Sequence, residues 1–502
     1  MLNFNKGVKV KKLILLFLLP ILLTAQDGYE EWQKKENQRF QNFVSEEDKK
    51  FADLLEQDWK KFQMSKGVKF DETPKVAEMP VFKEKVEEEV KKEPNTESID
   101  KKVEEVIPVA PIIKTEISIA PQIVAPQIPA EAKTLEFIEA EIDYYGFDAK
   151  INIPKNINVK LGGVNNKSIS QFWKEISGSN YKPFLEQTKA YKEEMGLSDW
   201  GYIQLLNDIG KEVFKSSRNE RYLFVWFMLV KSEYKAKVGI IGTNIYLIIN
   251  TKNTIYRTIF YTTKTDEKQY VINLENTQFE TKEPLYTFNE DFPGSDNLIY
   301  MDINKQLKLN NSLIGKILTF TWKDVQYQVP VKYSQTVVDF YSKYPHSSLD
   351  IYFNARKTNI VKESLLNSLS KIIEGKSVTE AANILLRFAQ DAFGYKTDPD
   401  QFGYEKPLFV EETLFYPYSD CEDRSIIYAY LVRSLLNLEV VAVDYPGHVA
   451  TAVNFGNENT GDFVTYKDKK YTVCDPTYMG ANIGNAQPEY KNSKIENIFR
   501  VE

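Results

Sequence analysis

Residues 416–436 read "YPYSDCEDRSIIYAYLVRSLL", a turn-rich start that runs into an amphipathic helix. Ile427, Leu431 and Leu435 recur at spacing i, i+4, i+8 and give that helix one apolar face. Ser419 with Glu422, or Asp420 with Asp423, is spaced as a capping box, so the helix is expected to begin within a residue of Cys421. A thiol there rests on unpaired backbone N–H groups at the positive end of the macrodipole, which favours thiolate and poises Cys421 as a nucleophile. Asp420, Glu422 and Asp423 oppose this, because like charge raises a thiol pKa. Helix geometry turns Glu422 and Asp423 away from the sulfur by about 100° and 200°. Arg424 offers partial compensation, and a cationic partner is still needed.

Outward from the cysteine, the apolar strand "EVVAVDY" (439–445) leads through a Pro446–Gly447 turn to "HVATAVNF" (448–455), which His448 opens. Its ring shares a strand face with Ala450 and Ala452, small residues that leave room beside it. A later strand, "KYTVCDPTY" (470–478), ends in Asp475, with Tyr471, Val473 and Asp475 on one face and Thr472 and Cys474 on the other. A plain meander of residues 448–455, 462–466 and 470–475 would put His448 and Asp475 at opposite strand ends. For the two to meet, "KYTVCD" must lie beside, and antiparallel to, the strand that His448 opens, with "DFVTY" carrying that strand's direction outward before the turn at 467–469.

Cysteine at a helix N-terminus, histidine at the head of a following strand and Asp-Pro-Thr after a later one resemble the transglutaminase-like superfamily of papain-like folds. "SDCEDRS", "GHVATAV" and "VCDPTY" carry the likeness, which extends over about residues 345–490 and takes in the helical segment "VTEAANILLRFAQDAFGY" (378–395). The chain is also similar to bacterial transglutaminase-like cysteine proteinases, with Ser419 where they carry glycine. The resemblance implies Cys421 as nucleophile, His448 as general base and later acid, and Asp475 as orienter of the imidazole. It implies acyl transfer at a peptide or side-chain amide through a thioester, with a second oxyanion donor upstream of the cysteine. Gln401, Tyr416 and Tyr418 are candidates for that donor. Calcium-dependent crosslinking is not the favoured form of the reaction, since no compact acidic calcium loop stands out.

Other readings stand beside these. Cys474 reads as a small hydrophobe on a buried strand, with a reversible disulfide to Cys421 as the rival. Asp475 could simply cap the turn at Pro476. A metal held by Cys421, His448, Asp475 and Cys474 conflicts with strand alternation, so no metal and no other cofactor is expected. His346, in "KYPHSSLD", has no motif around it and reads as a surface or boundary residue.

The first 25 residues have Lys6, Lys9, Lys11 and Lys12 before the apolar run Leu13–Leu23 and then Thr24 and Ala25, the layout of a secretory signal peptide cleaved after Ala25. The run is short for a membrane span, and no cysteine follows it to take a lipid. Losing this segment, with four lysines and no acidic residue, takes the net charge from −7 to −11. An acidic chain lacks the basic footprint of a nucleic-acid binder. With 42% hydrophobic and 27% charged residues among 502, collagen-like, polytopic membrane and wholly disordered classes are excluded, and two cysteines exclude a disulfide scaffold.

Residues 26–66 place Trp32, Phe40, Phe43, Phe51, Leu54, Leu55, Trp59 and Phe62 at helical spacing among Glu, Lys and Gln. This is an amphipathic helix, suited either to docking a partner or to packing on its own protein. Residues 67–133 are Lys/Glu-rich and punctuated by proline, the composition of a mobile tether. Residues 134–340 carry helical patterns, then short strands, and read as an α+β domain. Within it "KVGIIGTNIYLIIN" (237–250) aligns without gaps to "VAVDYPGHVATAVN" (441–454), setting Asn244 at His448 and, at the same offset, Ser217 at Cys421. The domain could be a degenerate copy of the last one. The whole chain thus reads as an exported, periplasmic or secreted α+β protein with a transglutaminase-like catalytic domain at 341–502 and a protein or peptide substrate. No stable membrane span remains after cleavage, and the rival function is a non-catalytic binding module at the cell envelope.

Overall fold

A computed structural model describes residues 46–57, 59–71, 73–83, 137–263, 267–276, 279–310 and 312–502. The expected signal peptide, residues 26–45 and residues 84–133 of the expected tether lie outside the described residues. The chain is a mixed α+β structure with several antiparallel sheets. None of the described helices is long and apolar enough to cross a membrane.

Helix α1 covers residues 46–55 and is followed by strand β1, Lys60–Phe62. The helix expected over 26–66 is therefore shorter at its C-terminal end, and Trp59 and Phe62 lie beyond it. Phe51, Ala52 and Leu55 are buried in the chain's own core, with Phe51 set edge-on to Trp173. Over these residues the apolar face packs internally.

The hairpin β2–β3 (Phe137–Tyr144, Phe147–Pro154) precedes four helices: α2 Asn166–Ser177, α3 Tyr181–Glu194, α4 Asp199–Phe214 and α5 Arg218–Lys231. Side chains of Asn165 and Ser198 cap α2 and α4 by accepting from Ser168 N–H and Gly201 N–H. Strands β4 Ala236–Ile241, β5 Asn244–Asn250, β6 Phe260–Thr262, β7 Lys268–Ile272 and β8 Leu285–Thr287 form a sheet ordered β1-β8-β4-β5-β7-β6. The apolar helix α5, buried from Tyr222 to Val230, lies on β4 and β5.

A long hairpin, β9 Leu313–Trp322 and β10 Val325–Ser334, leads to α6 Gln335–Ser342, α7 Leu349–Asn354, α8 Asn359–Ile373 and α9 Val378–Asp391. The hairpin packs on α8 and α9, so by its contacts it belongs with the residues that follow, ahead of the boundary expected near 340. Then come β11 Gly394–Tyr395, α10 Asp398–Phe402, α11 Val410–Phe415, β12 Tyr418–Ser419 and α12 Cys421–Leu431. The last sheet contains β13 Glu439–Tyr445, β14 His448–Asn454, β15 Phe463–Tyr466, β16 Lys469–Cys474 and β17 Asn497–Val501, in the order β15-β16-β14-β13-β17.

The two sheets share one topology. Setting β8-β4-β5-β7-β6 against β17-β13-β14-β16-β15 matches every strand by position and by chain order, and α5 and α12 precede them equivalently. At the sequence offset of the two sheets Ser217 and Asn244 align with Cys421 and His448, with Ser217 the N-cap of α5, and Asn273 follows β7 as Asp475 follows β16. There Tyr222 donates to Asn273 Oδ1 and pairs with Glu275, and Arg218 and Arg221 also contact Glu275.

Residues 67–71 and 73–83 correct the tether reading. They run as an extended strap from the first sheet to the second: Ser65 bridges Phe260, Val68 bridges Tyr256, and Val81 bridges Met479. Proline forbids helix here but does not prevent an extended segment from docking. His346 is also corrected: it is buried, with the tilted rings of Phe70 of the strap and Tyr256 against it, and burial pushes its pKa down to about 3.

Candidate active site

α12 begins at Cys421 with Asp420 as its N-cap, and of the two capping arrangements the second is formed: Asp420 N–H donates to Asp423 Oδ2 at 3.3 Å. Ser425, one turn on, donates to Val449 O at 2.9 Å and ties the start of α12 to the head of β14. The Val449 amide hydrogen-bonds the Cys421 sulfur, so the thiol lies against the backbone immediately after His448. Tyr490 stacks on the His448 ring at 4.4 Å and is within electrostatic range of the same sulfur. Among the described residues no hydrogen bond joins Cys421 to His448; the thiol's bond goes to Glu422 Oε2 at 3.2 Å.

Sheet register brings the histidine and the aspartate together. β16 lies antiparallel beside β14, with Thr451 opposite Cys474, and β15 continues the direction of β14 on the far side of β16. His448 Nε2 is 2.9 Å from Asp475 Oδ2. Gln487 Nε2 donates to that oxygen at 2.9 Å, while the Thr477 N–H and hydroxyl donate to Oδ1 at 3.0 and 2.8 Å. Burial works against the Asp475 carboxylate, but His448 and these donors hold its pKa below the usual range. Gln390 Nε2 donates to the carbonyls of Asp475, Tyr478 and Ala481, which fixes the loop after β16. Cys474 points away as alternation requires; both cysteines are free, and burial pushes the Cys474 thiol up to about 12.

The charges round Cys421 depart from the sequence expectation. The Glu422 carboxylate does not swing away but folds back to accept from the thiol. Arg424 does not offset it: the guanidinium is spent on Ser419 Oγ and on the carbonyls of Ala389, Gln390 and Phe393. The cation present is Lys75 from the strap, whose Nζ lies 2.8 Å from Asp420 Oδ2, 2.6 Å from Glu422 Oε1 and 2.7 Å from Glu405 Oε2. Burial and the neighbouring Glu422 push the thiol pKa well up, and Lys75 acts against them. Burial and Glu422 raise Asp420 to about 7. Glu422 stays below the usual carboxyl range because Lys75 and Asp420 outweigh its burial.

The three oxyanion candidates do not converge on the thiol. Tyr418 is exposed in β12, Tyr416 packs edge-on to Phe402 at the end of α11, and Gln401 sits in α10; none hydrogen-bonds the Cys421, His448 or Asp475 side chain. Tyr395 is closer in effect, since Cys421 perturbs its phenol, and its hydroxyl donates to Val76 O in the strap at 2.8 Å. Asp398, Glu405, Asp420 and Glu422 have ligand oxygens close enough together for a metal ion, and the Lys75 ammonium lies on three of these four side chains. Sequence reasoning missed Lys75, Gln487 and Tyr490. For Lys75 there was a signal: Phe70, Val76, Met79 and Phe82 are apolar residues inside an otherwise polar segment, and all four are partly buried.

Compared with family models, curated proteins and solved structures, this chain matches none.

Proposed function

We propose that this chain is an exported, transglutaminase-like cysteine enzyme that cleaves or transfers a peptide or side-chain amide. The observation that carries the reading is the hydrogen-bonded His448–Asp475 pair at the head of β14, one residue from the amide that contacts the Cys421 sulfur. With Nε2 engaged by Asp475, Nδ1 is the imidazole nitrogen left for the thiol. Cys421 gives its proton to Nδ1 as sulfur attacks the carbonyl carbon, and the oxyanion forms near the backbone N–H groups that open α12. Collapse breaks the C–N bond, the amine leaves with the proton from His448, and a thioester remains. Water, deprotonated by His448, then releases the carboxylate and restores the thiol. An amine in place of water completes a transfer.

Cys421 is 2% exposed and its thiol pKa is raised by burial, which favours a second reading, a non-catalytic binding module with the same fold. The pH dependence of Cys421 alkylation separates the two, with Cys421→Ser as blank. A histidine-coupled enzyme gives modification that slows in His448→Ala. Equal rates in wild type and His448→Ala support the binding module.

A further inference from the structure

The strap touches both sides of the reactive pair. Asp71 Oδ2 accepts the Gly447 N–H at 2.6 Å, one residue before His448, and four residues later Lys75 inserts its ammonium among the acids around Cys421. Lys75 is 6% exposed at its side chain and Asp420 and Glu422 are fully buried, so these charges are taken out of water and have only each other. The thiol faces Asp420 and Glu422 from its own helix end, Lys75 from the strap, the Val449 backbone next to His448 in β14, and the phenols of Tyr395 and Tyr490. Behind them stand Asp398 and Glu405, both facing Lys75, and Asp423, which is bonded to the Asp420 and Leu408 amides. Arg424 is committed to backbone carbonyls, which leaves Lys75 as the one cation placed among these carboxylates in the described residues.

We propose that residues 67–71 and 73–83 are a further limb of the active site and that Lys75 is its positioning residue: the ammonium compensates Asp420 and Glu422 so that the neighbouring thiol can transfer its proton to His448. The inference rests on the cysteine-enzyme reading and extends it, since the machinery then spans two segments far apart in sequence. Without the ammonium, sulfur would have to develop negative charge beside two uncompensated carboxylates.

The test is the pH profile of Cys421 alkylation in full-length mature protein, carried out on wild type, Lys75→Met, Lys75→Arg and the double variant Lys75→Met/Glu422→Gln. Lys75→Met is expected to move the profile to higher pH and to slow alkylation at about pH 7.5 by about tenfold, the equivalent of one pKa unit. Lys75→Arg should keep most of the rate. The double variant removes one charge of each sign, folds without a buried unpaired acid at position 422, and should return the profile toward wild type; a purely structural strap would not give that rescue. If Lys75→Met reacts as fast as wild type or faster, or if the double variant reacts like Lys75→Met, Lys75 is not the compensating charge and the strap is a cover. If wild type itself shows no His448-dependent reactivity, the enzyme reading fails and this inference falls with it.

Discussion

Replacing Asp475 with asparagine or alanine separates an orienting carboxylate from a turn cap. In the native site each carboxylate oxygen accepts two hydrogen bonds, Oδ2 from His448 and Gln487 and Oδ1 from the Thr477 amide and hydroxyl. An asparagine amide placed at Oδ2 meets the Gln487 donor; flipped, it meets the Thr477 N–H. One buried donor is left opposed either way, a cost of about 1–3 kcal/mol. Alanine removes the anion and strands all four donors, for which about 3–5 kcal/mol is expected. With an amide N–H facing Nε2, His448 must carry its proton on Nδ1 and can no longer accept one from Cys421. Alkylation near neutral pH should therefore slow by about 10²–10⁴, the usual contribution of a positioned base. The assay pairs urea unfolding with alkylation rates in a Cys474→Ala background, so that Cys421 is the single thiol. Expected is a stability order of wild type, Asp475→Asn, Asp475→Ala, with both variants slow. If both lose stability but react at the wild-type rate, Asp475 is a turn cap and the triad argument is wrong.

Other outcomes can be measured with the same protein. Asp420 has its pKa raised by burial from 3.8 to about 7, so the folded state binds the extra proton in that window; stability should fall as pH rises across it, and the fall should flatten in Asp420→Asn when unfolding midpoints are compared. Gly447 has φ of +70° and an added Cβ would lie 3.0 Å from Thr73 Cγ2, so Gly447→Ala should cost about 1–2 kcal/mol and raise hydrogen exchange across 67–83. Both thiols are free, so intact mass under reducing and non-reducing conditions should agree; a two-dalton difference would establish the disulfide instead.

The second sheet was legible because its signals are local. Cys421, His448 and Asp475 each sit at the end of an element whose period and turn residues can be read within ten residues, and the meeting of His448 with Asp475 then depends on one pairing, β14 with β16. The shared strand order was legible for a related reason: the spacing of α5–β4–β5 matches that of α12–β13–β14. What escaped was non-local. Proline and charge at 67–83 describe a chain without regular structure, and they do not reveal that Val68 pairs with Tyr256 and Val81 with Met479. Glu422 turned back because its side chain follows Lys75 and the thiol rather than its helical azimuth. His346 was read as exposed because the rings that bury it, Phe70 and Tyr256, come from distant segments.

The Lys75–Asp420 contact spans 345 positions along the chain, and this fixes an order in time. Lys75 precedes its partners in synthesis, so the acid cluster receives its counter-charge only once the chain between them has been made. Joining ends that far apart costs about 5 kcal/mol of chain entropy, which favours assembly of both sheets before the strap closes over them.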